Sequence, residues 1–282
     1  MFNPATFLRD LKRKIIADKY SRKYENYFVV DGIKFYVPLT IEPNIRYILA
    51  KGRSYESDEI RFLKRILEEG VNVVELGGSL GIVSGITRSI IGPLAKHIIV
   101  EANPELINIC KNNACIHSNT TETEIICKAV SYAPTAKVGF TKGINSHTGR
   151  ISKLSDEVYY EVEKVELRTL VEKLPGGVPY VLICDIEGAE YDMFKNEDRA
   201  TFKNLSFAVI GMRSRIYKSL GLKEEDFFNI LSEKGLKILD RSGDVLLFKG
   251  PAKWNLINYG LLSFWVDKKF RKNSFRYLYR SS

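Results

Sequence analysis

The chain has 282 residues, 45% hydrophobic and 27% charged, the balance of a soluble globular protein with one substantial core and room for appendages. No apolar run approaches the ~18 residues of a membrane span. The first residues are broken by Arg9, Asp10, Lys12, Arg13 and Lys14, so neither a transmembrane helix nor a signal peptide is expected. The net charge of +9 sits at the ends: residues 1–25 carry +4 and residues 252–282 carry +6, leaving a nearly neutral middle. Cys110, Cys115, Cys127 and Cys184 show no paired metal-ligand spacing, and reduced thiols in a cytoplasmic protein are the expectation.

Taken in chain order, Phe7, Leu8, Leu11, Ile15 and Ile16 recur at helical spacing among Lys and Arg, which predicts a basic amphipathic helix. The run 27–37 reads as a hairpin turning at Asp31-Gly32. A helix over Ser57–Leu67, capped near Ser57 or Asp58, leads to the first core strand at 71–76. Strands are then expected at 97–101, 124–130, 180–185 and 206–210, alternating with helices near 80–91, 104–114, 168–174, 189–196 and 223–234. That alternation argues for an α/β fold with a mostly parallel sheet. Runs at 236–240 and 244–248, joined through Ser242-Gly243, close it as an antiparallel hairpin. The polar stretch from about Lys142 to Glu161 reads as a loop over the strand tips. The division is a helix and hairpin appendage over 1–50, a core domain over 51–250 and a basic aromatic extension over 251–282.

The chemistry concentrates where apolar runs end in acids. Val73-Val74-Glu75-Leu76 runs into Gly77-Gly78-Ser79-Leu80-Gly81, and Ile98-Ile99-Val100 ends in Glu101. This order suits a nucleoside-bearing cofactor laid across the carboxyl ends of adjacent parallel strands. A dinucleotide fingerprint fails, because its three glycine positions would hold Gly77, Ser79 and Ile82. Glu75 would repel a pyrophosphate yet attract the cationic amino-acid part of S-adenosylmethionine. Glu101, at a strand tip, has the oxygens to accept both ribose hydroxyl protons. A third apolar run, 180–184, ends in Asp185, Glu187 and Glu190. Asp185 and Glu187 read as site acids, whereas Glu190 suits the positive end of the following helix.

Three strings together resemble the FkbM-type S-adenosylmethionine-dependent methyltransferases: Val74-Glu75-Leu76-Gly77-Gly78-Ser79-Leu80-Gly81, Val100-Glu101-Ala102-Asn103-Pro104 and Ile183-Cys184-Asp185-Ile186-Glu187-Gly188-Ala189-Glu190. Lys128-Ala129-Val130-Ser131, Val165-Glu166-Leu167-Arg168-Thr169-Leu170 and the lead-in Gly52-Arg53-Ser54-Tyr55-Glu56 extend the resemblance over about 52–200. It implies a seven-stranded, Rossmann-like class I methyltransferase sheet and, typically, methyl transfer to a hydroxyl of a sugar, glycan or polyketide. By position, Glu75, Gly77, Gly78, Ser79 and Gly81 would line the methionine and ribose side, Glu101 would hold the ribose, and Ala129 and Val130 would flank the adenine, with Asp185 also at the cofactor. Two departures stand out: Gly78-Ser79 where the family often has Ala-Asn, and Gly211-Met212-Arg213 where members often carry an acid and a histidine.

For a general base the sequence offers Asp185, Glu187 and His147, the last in the loop Gly143–Gly149. Asp185 and Glu187 have the oxygen chemistry of a hard-cation site, but two acids one residue apart do not predict a metal. His97 and His117 suggest no role. The basic ends, with Trp254, Tyr259, Phe264, Trp265 and Phe270 beside Lys268, Lys269, Arg271 and Lys272, suit an anionic membrane face where lipid-linked glycan acceptors lie, or packing on the protein itself. Phosphate binding and base stacking by the same ends make RNA methylation the alternative function. Against it, Asp185-Ile186-Glu187-Gly188 stands where amino-group methylation of bases often uses Asn-Pro-Pro-aromatic. A non-catalytic membrane or partner adaptor is the third reading.

Overall fold

The computed structural model describes residues 4–53, 55–116, 121–141, 150–151, 160–212, 217 and 221–252. The chain opens with helix α1 (Pro4–Lys23), hairpin β1 (Tyr27–Val30) and β2 (Ile33–Tyr36), and helices α2 (Pro43–Ala50) and α3 (Ser57–Ile66). The core alternation follows: β3 (Asn72–Leu76), α4 (Ile82–Ile91), β4 (His97–Glu101), α5 (Ile107–Ala114), β5 (Thr123–Cys127) and β6 (Ala129–Val130). Next come β7 (Lys137–Thr141), β8 (Arg150–Ile151), β9 (Tyr160–Val165), α6 (Leu167–Val171), β10 (Tyr180–Cys184) and α7 (Glu190–Asn196). A 3-10 turn at Arg199–Phe202, β11 (Leu205–Gly211), α8 (Glu224–Glu233), β12 (Lys237–Ser242) and β13 (Val245–Lys249) complete it.

Seven strands form one sheet in the order β12-β13-β11-β10-β3-β4-β5. The five from β11 to β5 are parallel, and β13 runs antiparallel to both β11 and β12. The chain leaves β3 toward β4 and β5 on one side, and returns at β10 to build the other. The point where winding reverses therefore lies between β3 and β10, where α/β sheets open a crevice at their strand ends.

The central strands β3, β4 and β10 are buried along their whole length because both faces are covered. Side chains alternate between two cores with the strand period of two. Val73, Val181, Ile183 and Val209 join α3, α4 and the hairpin's Phe28 and Phe35. Val74, Leu182 and Cys184 join α6, α7 and α8 through Leu170, Phe194 and Phe227. Phe28 and Phe35 face each other across the hairpin register and are fully buried. A side chain on Gly85 of α4 would meet Phe35 Cε1 at 2.6 Å, so that helix interior needs its glycine.

The structure differs from the sequence expectation in four places. The run 124–130 is not one strand: it breaks at Lys128, and Ala129–Val130 turns away to pair with β9 in a second, four-stranded sheet, β6-β9-β7-β8. The stretch expected as loop up to Glu161 already contains the start of β9 and the short β8. The first core helix begins after Glu56, in left-handed backbone (φ 46°), with no side-chain cap from Ser57 or Asp58. Helix α2, started by Pro43, has no counterpart among the expected elements. The extension beyond residue 252, with its Trp and Phe residues, lies outside the described residues, as do His117 and His147.

Candidate active site

The carboxyl ends of β3, β4 and β10 border an open cleft, also lined by Tyr55 and Glu56 before α3 and by Phe140 of β7. Its floor is the turn after β3. The amides of Gly77 and Gly78 both donate to the Val100 carbonyl, at 2.8 and 3.0 Å, which hooks the turn onto β4. Gly77 and Gly81 have φ of +94° and +71°, and Ser79 between them is a non-glycine residue at +47°. A Cβ on Gly77 would stand 2.0 Å from the Asp185 carbonyl oxygen, one on Gly78 2.5 Å from Ile99 Cγ2, and one on Gly81 2.4 Å from the Cys110 carbonyl oxygen. The glycines are thus demanded first by β10, β4 and α5 pressing on the turn.

Glu101 ends β4 with its carboxylate turned to this floor. Oε2 accepts the Ser79 amide at 2.6 Å and Oε1 the Asn103 amide at 2.7 Å. Burial raises its pKa above the usual carboxylate range, opposed by these amides, which favour the anion. Ser79 is held in left-handed backbone by the bond Glu101 accepts, a local strain of the kind that clusters at functional sites.

Glu75 lines the same cleft but is only 1% exposed, and both its oxygens are engaged within the protein. Oε1 accepts from Ser84 Oγ of α4 at 2.6 Å, and Oε2 lies 2.8 Å from Nε2 of His97 at the start of β4. These bonds form a buried tie between α4, β3 and β4 beside the cleft that Glu75 lines. His97, which suggested no role in the sequence, is its partner. Burial lowers the pKa of His97 in spite of Glu75, so the neutral ring donates from Nε2.

The third acidic string forms a tight loop. The Asp185 amide extends the β10–β3 ladder by donating to Leu76 O at 3.0 Å. Beyond it, Glu187 and Gly188 both have positive φ, 54° and 101°. Glu190 stabilises this shape: fully buried, it accepts the Ile186 amide at 2.9 Å, the Gly188 amide at 2.8 Å and the Tyr217 hydroxyl at 3.2 Å. It is structural, and its bonds direct Asp185 and Glu187 to the cleft they line. Gly211, at the tip of β11, leaves room for Asp185, since a Cβ there would fall 2.8 Å from Oδ1.

Chain folding also gathers acids the sequence reading did not connect. Glu56, Glu59 and Asp185 each bring a carboxylate oxygen within 4.8 Å of the others. Glu187, expected beside Asp185 in any cation set, is not in that cluster. Among the described residues, six carboxylates, from Glu56, Glu59, Glu75, Glu101, Asp185 and Glu187, line the cleft with one ammonium, Lys128. Ala129 and Val130 also line it, 2% and 5% exposed. Phe140 and Tyr55 are additions. The alternation in Lys137-Val138-Gly139-Phe140-Thr141 signals a half-buried strand, and thereby Phe140. Burial, with Glu56, Glu59 and Asp185 nearby, raises the Tyr55 phenol far above its ordinary value.

A parallel sheet extended by a reversed strand, a glycine turn after its first strand and an acid at the tip of the second define a class I, Rossmann-like methyltransferase fold. The model of the methyltransferase FkbM domain matches residues 75–233, and the chain belongs to that family, whose reaction is S-adenosylmethionine-dependent methyl transfer. No curated protein sequence matches the chain. Among solved structures it is similar to the N-methyltransferase NodS from Bradyrhizobium japonicum WM9, with 13% identity, 70% of this chain and 96% of that one covered and a TM-score of 0.39. For fibrillarin from Aeropyrum pernix, in complex with natively bound S-adenosyl-L-methionine, the figures are 14%, 65%, 67% and 0.38. For the ribosomal protein L11 methylase from Lactobacillus delbrueckii subsp. bulgaricus they are 10%, 78%, 90% and 0.39.

Proposed function

We propose that the protein transfers the methyl group of S-adenosylmethionine to a hydroxyl of a sugar, glycan or related small molecule. The observation that carries this reading is Glu101. Its two oxygens are fixed by the Ser79 and Asn103 amides at the rim of a cleft whose remaining carboxylates favour a cationic ligand. When bound, S-adenosylmethionine supplies an electrophilic methyl group on a positively charged sulfur. Glu101 would accept the ribose hydroxyls, the turn 77–81 would face the amino-acid portion, and Ala129, Val130 and Phe140 would offer an apolar wall for the adenine. The same acidic lining disfavours phosphodiesters, which supports a neutral acceptor over RNA.

Asp185 and Glu187 stand on the acceptor side. Their loop is held by Glu190 and by the Asp185 amide on Leu76, so their carboxylates can orient an acceptor hydroxyl and take its proton. Alignment of the reacting groups is worth about 7–11 kcal/mol, whereas a general base typically contributes about 10²–10⁴-fold. Positioning is therefore the larger share. His147, the third base candidate, lies outside the described residues.

The test is methyl-labelled S-adenosylmethionine offered with a panel of neutral glycans and with RNA. The expected product is an alkali-stable methyl ether on the glycan, lost in Asp185→Ala. Label found only on RNA or on an amine would refute the proposal.

A further inference from the structure

We propose that α1 is an interfacial helix that seats the protein on an anionic lipid bilayer. One face ties it to the body. Ala17 and Ser21 are fully buried, and the buried Arg46 of α2 donates to Ser21 Oγ at 3.1 Å and pairs with Asp18 at 2.7 Å. With that face anchored, the opposite one is displayed in a fixed orientation. It carries Leu8, Leu11 and Ile15, on successive turns of one stripe, at 55, 43 and 58% exposure. A single exposed leucine is ordinary. Three in register on a basic helix are the pattern of a helix lying in a membrane interface.

Charge selects the occupant. The helix has seven Lys or Arg and two Asp, and both acids are already engaged, Asp10 with Arg9 and Arg13, Asp18 with Lys14 and Arg46. Lys12, Lys19 and Arg22, exposed beside the apolar stripe, form no ion pair among the described residues. The chain's own aromatic segment 252–282 carries +6, and a second copy would bring another basic helix. Either would meet α1 with like charge, whereas anionic headgroups reverse the sign and attract each added Lys or Arg. No helix among the described residues is long and apolar enough to cross a membrane, so the contact is peripheral.

The experiment is co-sedimentation of the full chain with phosphatidylcholine vesicles, with and without phosphatidylglycerol. Binding is expected only with the anionic lipid, weakening as salt is raised. The triple variant Leu8→Ser, Leu11→Ser, Ile15→Ser changes exposed side chains only; it should keep its circular dichroism and lose about tenfold or more of its partitioning. Lys12→Glu, Lys19→Glu, Arg22→Glu should abolish the preference for phosphatidylglycerol. Equal sedimentation of the wild type and the serine variant would overturn the proposal. So would a dimer in solution that the serine variant converts to monomer. Neither readout involves methyl transfer, so the result stands apart from the proposed reaction.

Discussion

Replacing Glu101 by Ala separates the cofactor's affinity from the stability of the fold. The carboxylate accepts the Ser79 amide at 2.6 Å and the Asn103 amide at 2.7 Å, and in the proposed complex accepts two ribose hydroxyls besides. Hydrogen bonds to a charged group are worth about 1.5–3 kcal/mol each, so the lost ribose pair amounts to about 3–6 kcal/mol, or about 10²–10⁴-fold in affinity. Stability moves less, because two terms oppose. The Ser79 and Asn103 amides lose partners at about 1–3 kcal/mol each. Against that, burial raises the pKa of Glu101, which means the anion is disfavoured where it sits, and its removal relieves that cost. Calorimetric titration with S-adenosylmethionine and its demethylated product, beside urea unfolding without ligand, reads both quantities. Glu101→Gln should fall between native and Ala, since its amide nitrogen would face one of the two backbone donors. A folded Glu101→Ala that binds the cofactor within about threefold of native would refute the assignment, because one bond to a charged group is worth more than that.

Gly77→Ala should cost about 2 kcal/mol or more beyond Gly177→Ala in urea unfolding. Both glycines have positive φ, +94° and +74°, but only at Gly77 would the methyl meet a backbone oxygen, at 2.0 Å. Equal losses would show that the contact with Asp185 is relaxed at no cost. His97 makes stability depend on pH. Its folded pKa lies below the ordinary 6.5, so below that pH the unfolded chain binds a proton that the native state resists. Stability is therefore intact above pH 6.5 and falls as the pH drops below it, by up to about 1.4 kcal/mol per pH unit. His97→Gln, whose amide can still donate to Glu75, should remove that slope, measured between about pH 6.5 and 5 where ordinary carboxylates stay ionised. An unchanged slope would place the titration elsewhere.

Much of the core was legible because its signals are local. The runs ending in Glu75, Glu101 and Asp185 became β3, β4 and β10 within a residue or two, and the short Ser242-Gly243 turn became the antiparallel pair β12–β13. Apolar runs long enough for a buried strand, glycine turns and helical periodicity are properties of neighbouring residues, and these suffice to order a parallel sheet and bring its acids to one edge. The break at Lys128 was not legible. Ala129 and Val130 look like more of the same strand, and only pairing with β9, more than thirty residues later, draws them aside. The side chains of Glu75 and Glu101 diverge for the same kind of reason. Both are acids at strand ends that line the cleft, yet one is tied to the Ser84 and His97 side chains and the other to the Ser79 and Asn103 amides. The cluster of Glu56 and Glu59 with Asp185 depends on α3 lying against the tips of strands far away in sequence. A sequence specifies which groups are available at a strand end; which of them meet a ligand is set by partners that only chain folding supplies, since a buried carboxylate must be satisfied by whatever donor the tertiary structure brings to it.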